Sequence, residues 1–140
     1  MHSRIIALET TVSEDEVFEA MLSGVDYVSE MEEDSWDLEI LERIGAVDRR
    51  AQTFQADPAK VKMALEAMYD EYQGRAIRSF DEYVNSWKAW AARNAIEDKY
   101  DIYIFWGYPI TWHDFLRQLY SDEETMSRTW KITGFFDYHF

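Results

Sequence analysis

Apolar positions change period along this chain. Residues 3–10, SRIIALET, form a short apolar run that predicts a first strand. After it the period lengthens: Val17, Phe18, Met21, Leu22, Val25 and Val28 recur at helical spacing. Ser13 with Glu16 three positions on forms a capping box, and Glu14 and Asp15 complement the dipole of the helix they open. Gly24 weakens its middle. Trp36, Leu38, Ile40, Leu41 and Ile44 mix two periods, but their length and a cap at Ser35 favour a second helix, which Gly45 ends or interrupts. Asp57 and Pro58 read as the N-cap and first residue of a third, burying Val61, Leu65, Met68 and Tyr72 and stopping at Gly74. Ser79 with Glu82 opens a further helix over 80–98, with Tyr83, Val84, Trp87, Trp90 and Ala91 on one stripe.

Then β-formers take over. Residues 100–107 read as a strand before Gly107 and Pro109. Thr111 and Asp114 cap a short helix over 112–120, and residues 128–140 read as one bent strand or a hairpin about Thr133-Gly134. The sum is an α+β fold: four or five helices on a small antiparallel sheet with strands near 3–10, 100–107 and 128–139. An all-α fold is the alternative. No repeat, low-complexity tract or linker divides residues 1–140, so one domain is expected.

Composition supports a packed core. Of 140 residues 47% are hydrophobic, with six Trp, nine Tyr and eight Phe, which argues against a disordered chain. Cysteine is absent, which removes disulfides and thiolate metal sites. The start, MHSRIIALET, lacks the basic and apolar regions of a signal peptide, and no apolar run approaches the roughly 20 residues that span a bilayer. A soluble, cytoplasmic protein is expected.

Charge changes the picture most. The net charge is −14, beyond the magnitude of about 2 to 8 that solubility asks of a small domain. Residues 1–42 hold 13 acidic residues and one basic residue, Arg4, whereas residues 43–140 hold 15 and 13. A general adaptation to salt would spread acid over the whole surface, so this asymmetry needs a local cause. Its densest part, SEMEEDSWDLE (residues 29–39), gathers six carboxylates around Trp36 with no lysine or arginine. Such a surface disfavours DNA, RNA and anionic membranes and favours a basic partner.

Known chemistry finds little purchase. His2, His113 and His139 are far apart and form no zinc spacing, the acidic stretch lacks the alternating ligands and central glycine of a calcium loop, and five scattered glycines make no phosphate loop. Neither a metal nor a cofactor is expected. In TWHDF (111–115), Asp114 is explained as the capping partner of Thr111. The reading is therefore of a non-enzymatic protein, with a small enzyme carrying an acidic pocket as one alternative. Another is an assembly module that forms a homodimer through the aromatic segments IFWGYPITW (104–112) and FFDYHF (135–140).

Carboxylates three or four positions apart on a helix lie about 5 to 6 Å from one another. That spacing approximates a row of phosphates, which on B-form DNA carry one charge per about 3.4 Å of axial rise along each strand. In its acidic runs SEDEVFE and SEMEEDSWDLE, with small size and no cysteine, the chain resembles small phage-encoded inhibitors of host proteins: DNA-mimicking anti-CRISPR, antirestriction and gyrase-inhibiting proteins. The resemblance is one of type, without an aligned motif. It implies a basic nucleic-acid-binding protein as partner. The residues expected to meet it are Glu30, Glu32, Glu33, Asp34, Asp37 and Glu39, with Glu14, Asp15 and Glu19 in support; Trp36 is an apolar anchor if exposed, with burial in the core as the alternative.

Overall fold

The computed structural model describes residues 2–21, 25–32, 35–71, 77–85 and 102–139. Among them are six helices and seven strands, so the class is α+β. The all-α alternative does not hold.

The chain opens with β1 (His2–Leu8), the helix α1 (Glu14–Ala20) and β2 (Tyr27–Met31). Then come α2 (Ser35–Glu42), β3 (Gly45–Asp48), β4 (Thr53–Ala56) and α3 (Pro58–Glu71). The rest is α4 (Phe80–Asn85), β5 (Tyr103–Phe105), β6 (Pro109–Thr111), α5 (Trp112–Ser121), α6 (Glu123–Ser127) and β7 (Thr129–His139).

The sheet is built around β7. One side of this long strand pairs with β1; the other pairs with β4 near its start and β2 near its end, all antiparallel. The strand order is β3-β4-β7-β1-β5-β6, with β2 beside β7, and the β1–β5 pair is parallel. A register shift sets Ala7 and Leu8 against Gly134 and Ile132. It leaves Thr133 as the extra residue of a bulge, its hydroxyl donating to the Thr10 carbonyl at 2.9 Å. So β7 is the bent strand, not the hairpin, of the two readings of residues 128–140.

Alternation along the strands divides the core in two. Ile6, Leu8, Ile104, Trp130, Ile132 and Phe135 face a thick layer containing α2, α3 and α5, with Leu38, Ile40, Leu41, Val61, Leu65, Phe115 and Leu119 packed among them. Ile5, Ala7, Phe105, Phe136 and Tyr138 face the other way and meet Val17 of α1 and Val28 of β2.

Several predicted caps form. The Ser13 hydroxyl accepts from Glu16 N–H at 3.2 Å, Asp57 Oδ1 from Ala59 N–H at 2.9 Å, and the Thr111 hydroxyl from Asp114 N–H at 3.2 Å. Ser79 does the same for Glu82 N–H at 3.1 Å. The predicted stripe positions Trp87, Trp90 and Ala91, with Tyr72, lie outside the described residues.

Four strands depart from expectation. The helical row thought to run from Val17 to Val28 ends at Ala20, and Val28 faces the core from β2. β3 and β4 form a hairpin that no sequence signal marked, and β6 is a second partner for β5. Gly45 opens β3 because the neighbouring backbone leaves no room for a side chain. A Cβ there would lie 2.1 Å from the Gln55 carbonyl oxygen. Gly45→Ala is therefore expected to lower stability by about 1–3 kcal/mol, the usual range for overpacking. An unchanged midpoint in urea would show that the two strands do not approach so closely.

The aromatic C-terminal run is interior. Trp130, Phe135, Phe136 and Tyr138 are all buried. In the other aromatic segment, Ile104, Phe105 and Ile110 are buried, whereas Tyr108 is 55% exposed.

Candidate interaction surface

The acidic N-terminal third is parted among three settings. The first is the α1–β2 unit. Val17 anchors α1 to the thin side of the sheet, which turns Glu14, Asp15, Glu16, Phe18 and Glu19 outward. Glu14 Oε1 accepts from the backbone N–H of Glu30 at 2.7 Å and so ties the helix to β2. Glu30 and Glu32 are exposed beside it. Phe18 is 42% exposed on α1, so an apolar ring stands among the carboxylates; Tyr27, 43% exposed, alternates with Val28 and Glu30 and turns to the opposite face of the sheet. Tyr27 stacks on His139 (centroids 5.3 Å apart), whose Nδ1 lies 3.2 Å from Asp26.

The second setting is the link to α2. Glu33 and Asp34 fall outside the described residues, as does the side chain of Trp36.

The third is α2 itself, in the opposite layer. Glu39 is exposed there, and Glu42 pairs with Arg49 at 3.3 Å. Asp37 corrects the expectation. Expected on the partner surface, it is fully buried, its Oδ1 3.5 Å from Arg4 Nε. The Arg4 guanidinium also contacts Met31 Sδ through Nη1. Asp37 and the lone basic residue of the first third thus form an internal pair.

The structure therefore brings together Glu14, Asp15, Glu19, Glu30 and Glu32 and sets Glu39 apart on α2. None of the described lysines or arginines pairs with these six: Arg4 is taken by Asp37, Arg49 by Glu42 and Arg128 by Glu9. Glu16, Phe18 and Tyr27 were missed as surface residues. A capping role accounted for Glu16 and a core role for Phe18, and only the short length of α1 reveals their exposure.

The TWHDF residues take separate tasks. Thr111 caps α5, Asp114 pairs with Arg117 at 3.2 Å, and His113 is buried against the ring of Tyr83. Among the described residues no group of three or more His, Asp or Glu side chains could hold a metal ion.

A second feature is a cleft of about 540 Å³ lined by Trp106, Asp122, Glu124, Thr125, Ser127 and Arg128. The Thr125 hydroxyl donates to Asp122 Oδ2 and holds that carboxyl below its ordinary pKa of 3.8. A folded-state value below the unfolded one favours the fold above pH 3.8, a contribution lost as pH falls through the folded value. Thr125→Val is expected to return Asp122 toward its ordinary value, followed by the carboxyl carbon shift in an acid titration. An unmoved titration would mean that the hydroxyl is not the cause.

Compared with protein-family models, curated proteins and solved structures, the chain gives no match. What can be said of class rests on the fold alone: an α+β protein with a polarised acidic flank. No described helix is long and apolar enough to cross a membrane.

Proposed function

We propose that this protein is a non-enzymatic inhibitor that docks its acidic α1–β2 flank on the basic, nucleic-acid-binding surface of another protein and blocks access to it. One observation carries the reading: Glu14, Asp15, Glu19, Glu30 and Glu32 are exposed together, and no described cation of the same chain neutralises them. Repulsion among such carboxylates is tolerated where an opposing positive field removes it on contact, and that field also steers association.

Phe18 refines the picture. A phosphate row has nothing that corresponds to an exposed ring, whereas protein interfaces gain much of their affinity from aromatic anchors within a polar rim. The better fit is a basic groove with an apolar floor, met by an acidic flank carrying one exposed ring, rather than close imitation of a duplex.

The test is retention of proteins from a bacterial lysate on the immobilised chain at low and at high salt. A nucleic-acid-binding protein should be retained at low salt, then released by added salt and by competing duplex DNA. If none is retained at low salt, or the retained protein still binds DNA while held by the chain, the proposal fails.

A further inference from the structure

The cleft beside Trp106 lies outside this reading. We propose that it binds a neutral polyhydroxylated ligand, a hexose or a short saccharide.

Three features lead there. The first is preorganisation. Arg128 Nε lies 3.3 Å from Glu9 Oε1, and the guanidinium carbon sits 5.4 Å from the ring centre of Trp106 and 4.9 Å from that of Trp130, within cation–π range of both. The two indoles meet edge to face at 4.7 Å. Glu9 reaches Arg128 from a left-handed backbone conformation, φ 73°, which costs a residue with a side chain free energy and tends to persist at functional positions. Its backbone N–H is anchored on the Lys131 carbonyl at 2.7 Å. Trp106 is set by a tight turn, its N–H bonded to the Tyr108 carbonyl across Gly107 at φ 76°.

The second is the pairing of donors and acceptors. Asp122 and Glu124 offer carboxylate acceptors, while the terminal nitrogens of Arg128 offer donors that no described residue uses. A hydroxyl both donates and accepts, so a ligand with neighbouring hydroxyls satisfies both sets at once. The half-buried indole of Trp106 adds apolar surface to the wall of the cleft, against which the carbon–hydrogen side of a sugar ring can rest. A volume of about 540 Å³ is within the usual range of small-ligand sites.

The third is charge. Two carboxylates and one arginine line the cleft in a chain of net charge −14, so phosphorylated sugars and nucleotides are repelled. An amine would be drawn to the carboxylates but repelled by the Arg128 guanidinium that lines the same cleft. A neutral ligand avoids both penalties.

The test is a titration of the full isotope-labelled chain with glucose, maltose, N-acetylglucosamine and chitobiose in turn, read on the Trp106 indole N–H and on the amides of residues 122–128. At least one sugar should shift these resonances saturably in the millimolar range. Glu124→Gln should weaken that sugar by about tenfold, the loss of one hydrogen bond to a charged group, and leave the remaining spectrum in place. A flat response to all four sugars overturns the proposal, as does a saturable shift that maps elsewhere. Adenosine or spermidine acting at these residues where the sugars do not would assign the cleft to a different ligand class and overturn it equally. None of these results bears on docking through the α1–β2 flank.

Discussion

Arg4→Ala is expected to lower stability by about 3–5 kcal/mol, read as the shift of the urea midpoint at constant slope. The reason lies with its partner. Asp37 is wholly buried, and a carboxylate out of water is tolerable only beside a compensating charge and hydrogen-bond donors. Arg4 Nε at 3.5 Å supplies the charge. Removing it leaves the buried group to shed its charge or the helix to lift away. Asp37→Ala should cost a comparable amount for the converse reason. The double replacement Arg4→Met with Asp37→Leu should recover most of the loss, because apolar groups of similar volume need no compensation. If the double variant is as unstable as the two single variants summed, the two side chains do not act as a pair. In that case Asp37 has some other reason to be buried.

That pair also shows what the sequence could not reveal. Asp37 sits in the densest acidic stretch of the chain, and nothing local separates it from Glu39. Its burial follows from α2 packing Leu38, Ile40 and Leu41 inward while β1 delivers Arg4 from far upstream. Contacts of such separation leave no short-range signature. The same limit explains the missed strands. β3, β4 and β6 have three or four residues each, too few for a period to emerge. β2 was hidden because Val25 and Val28 continue the spacing of α1, so a two-residue alternation lay within an apparent helical row. What was legible rested on local chemistry: the caps at Ser13, Asp57, Ser79 and Thr111, the stripe of Val61 and Leu65, and the β-rich C-terminus. Of the proposed surface, the exposure of Glu14, Asp15 and Glu19 followed from their helix, whereas the proximity of Glu30 to Glu14 is a tertiary fact.

Knowing which acids are external makes the decisive experiment cleaner. Reversal of Asp15, Glu19, Glu30 and Glu32 to lysine changes the charge of the α1–β2 flank by eight units and should leave the fold intact. Asp15→Lys opposes the α1 dipole at its first turn, but Glu19→Lys favours it at the last, and each effect is about 0.3–1 kcal/mol. Glu30 and Glu32 hold no described partner through their carboxylates, so lysine there relieves repulsion. Glu14 is left in place because its carboxylate caps the Glu30 amide. Thermal stability should therefore stay level or rise, while affinity for the captured partner should fall by about a hundredfold or more at low salt, chiefly through slower association. Phe18→Ala, in contrast, should speed dissociation and leave the salt dependence unchanged, because an apolar anchor acts after encounter. A quadruple variant that folds and still binds with undiminished affinity would show that the acidic flank is only a solvated face, and partner recognition would have to be sought in another part of the molecule.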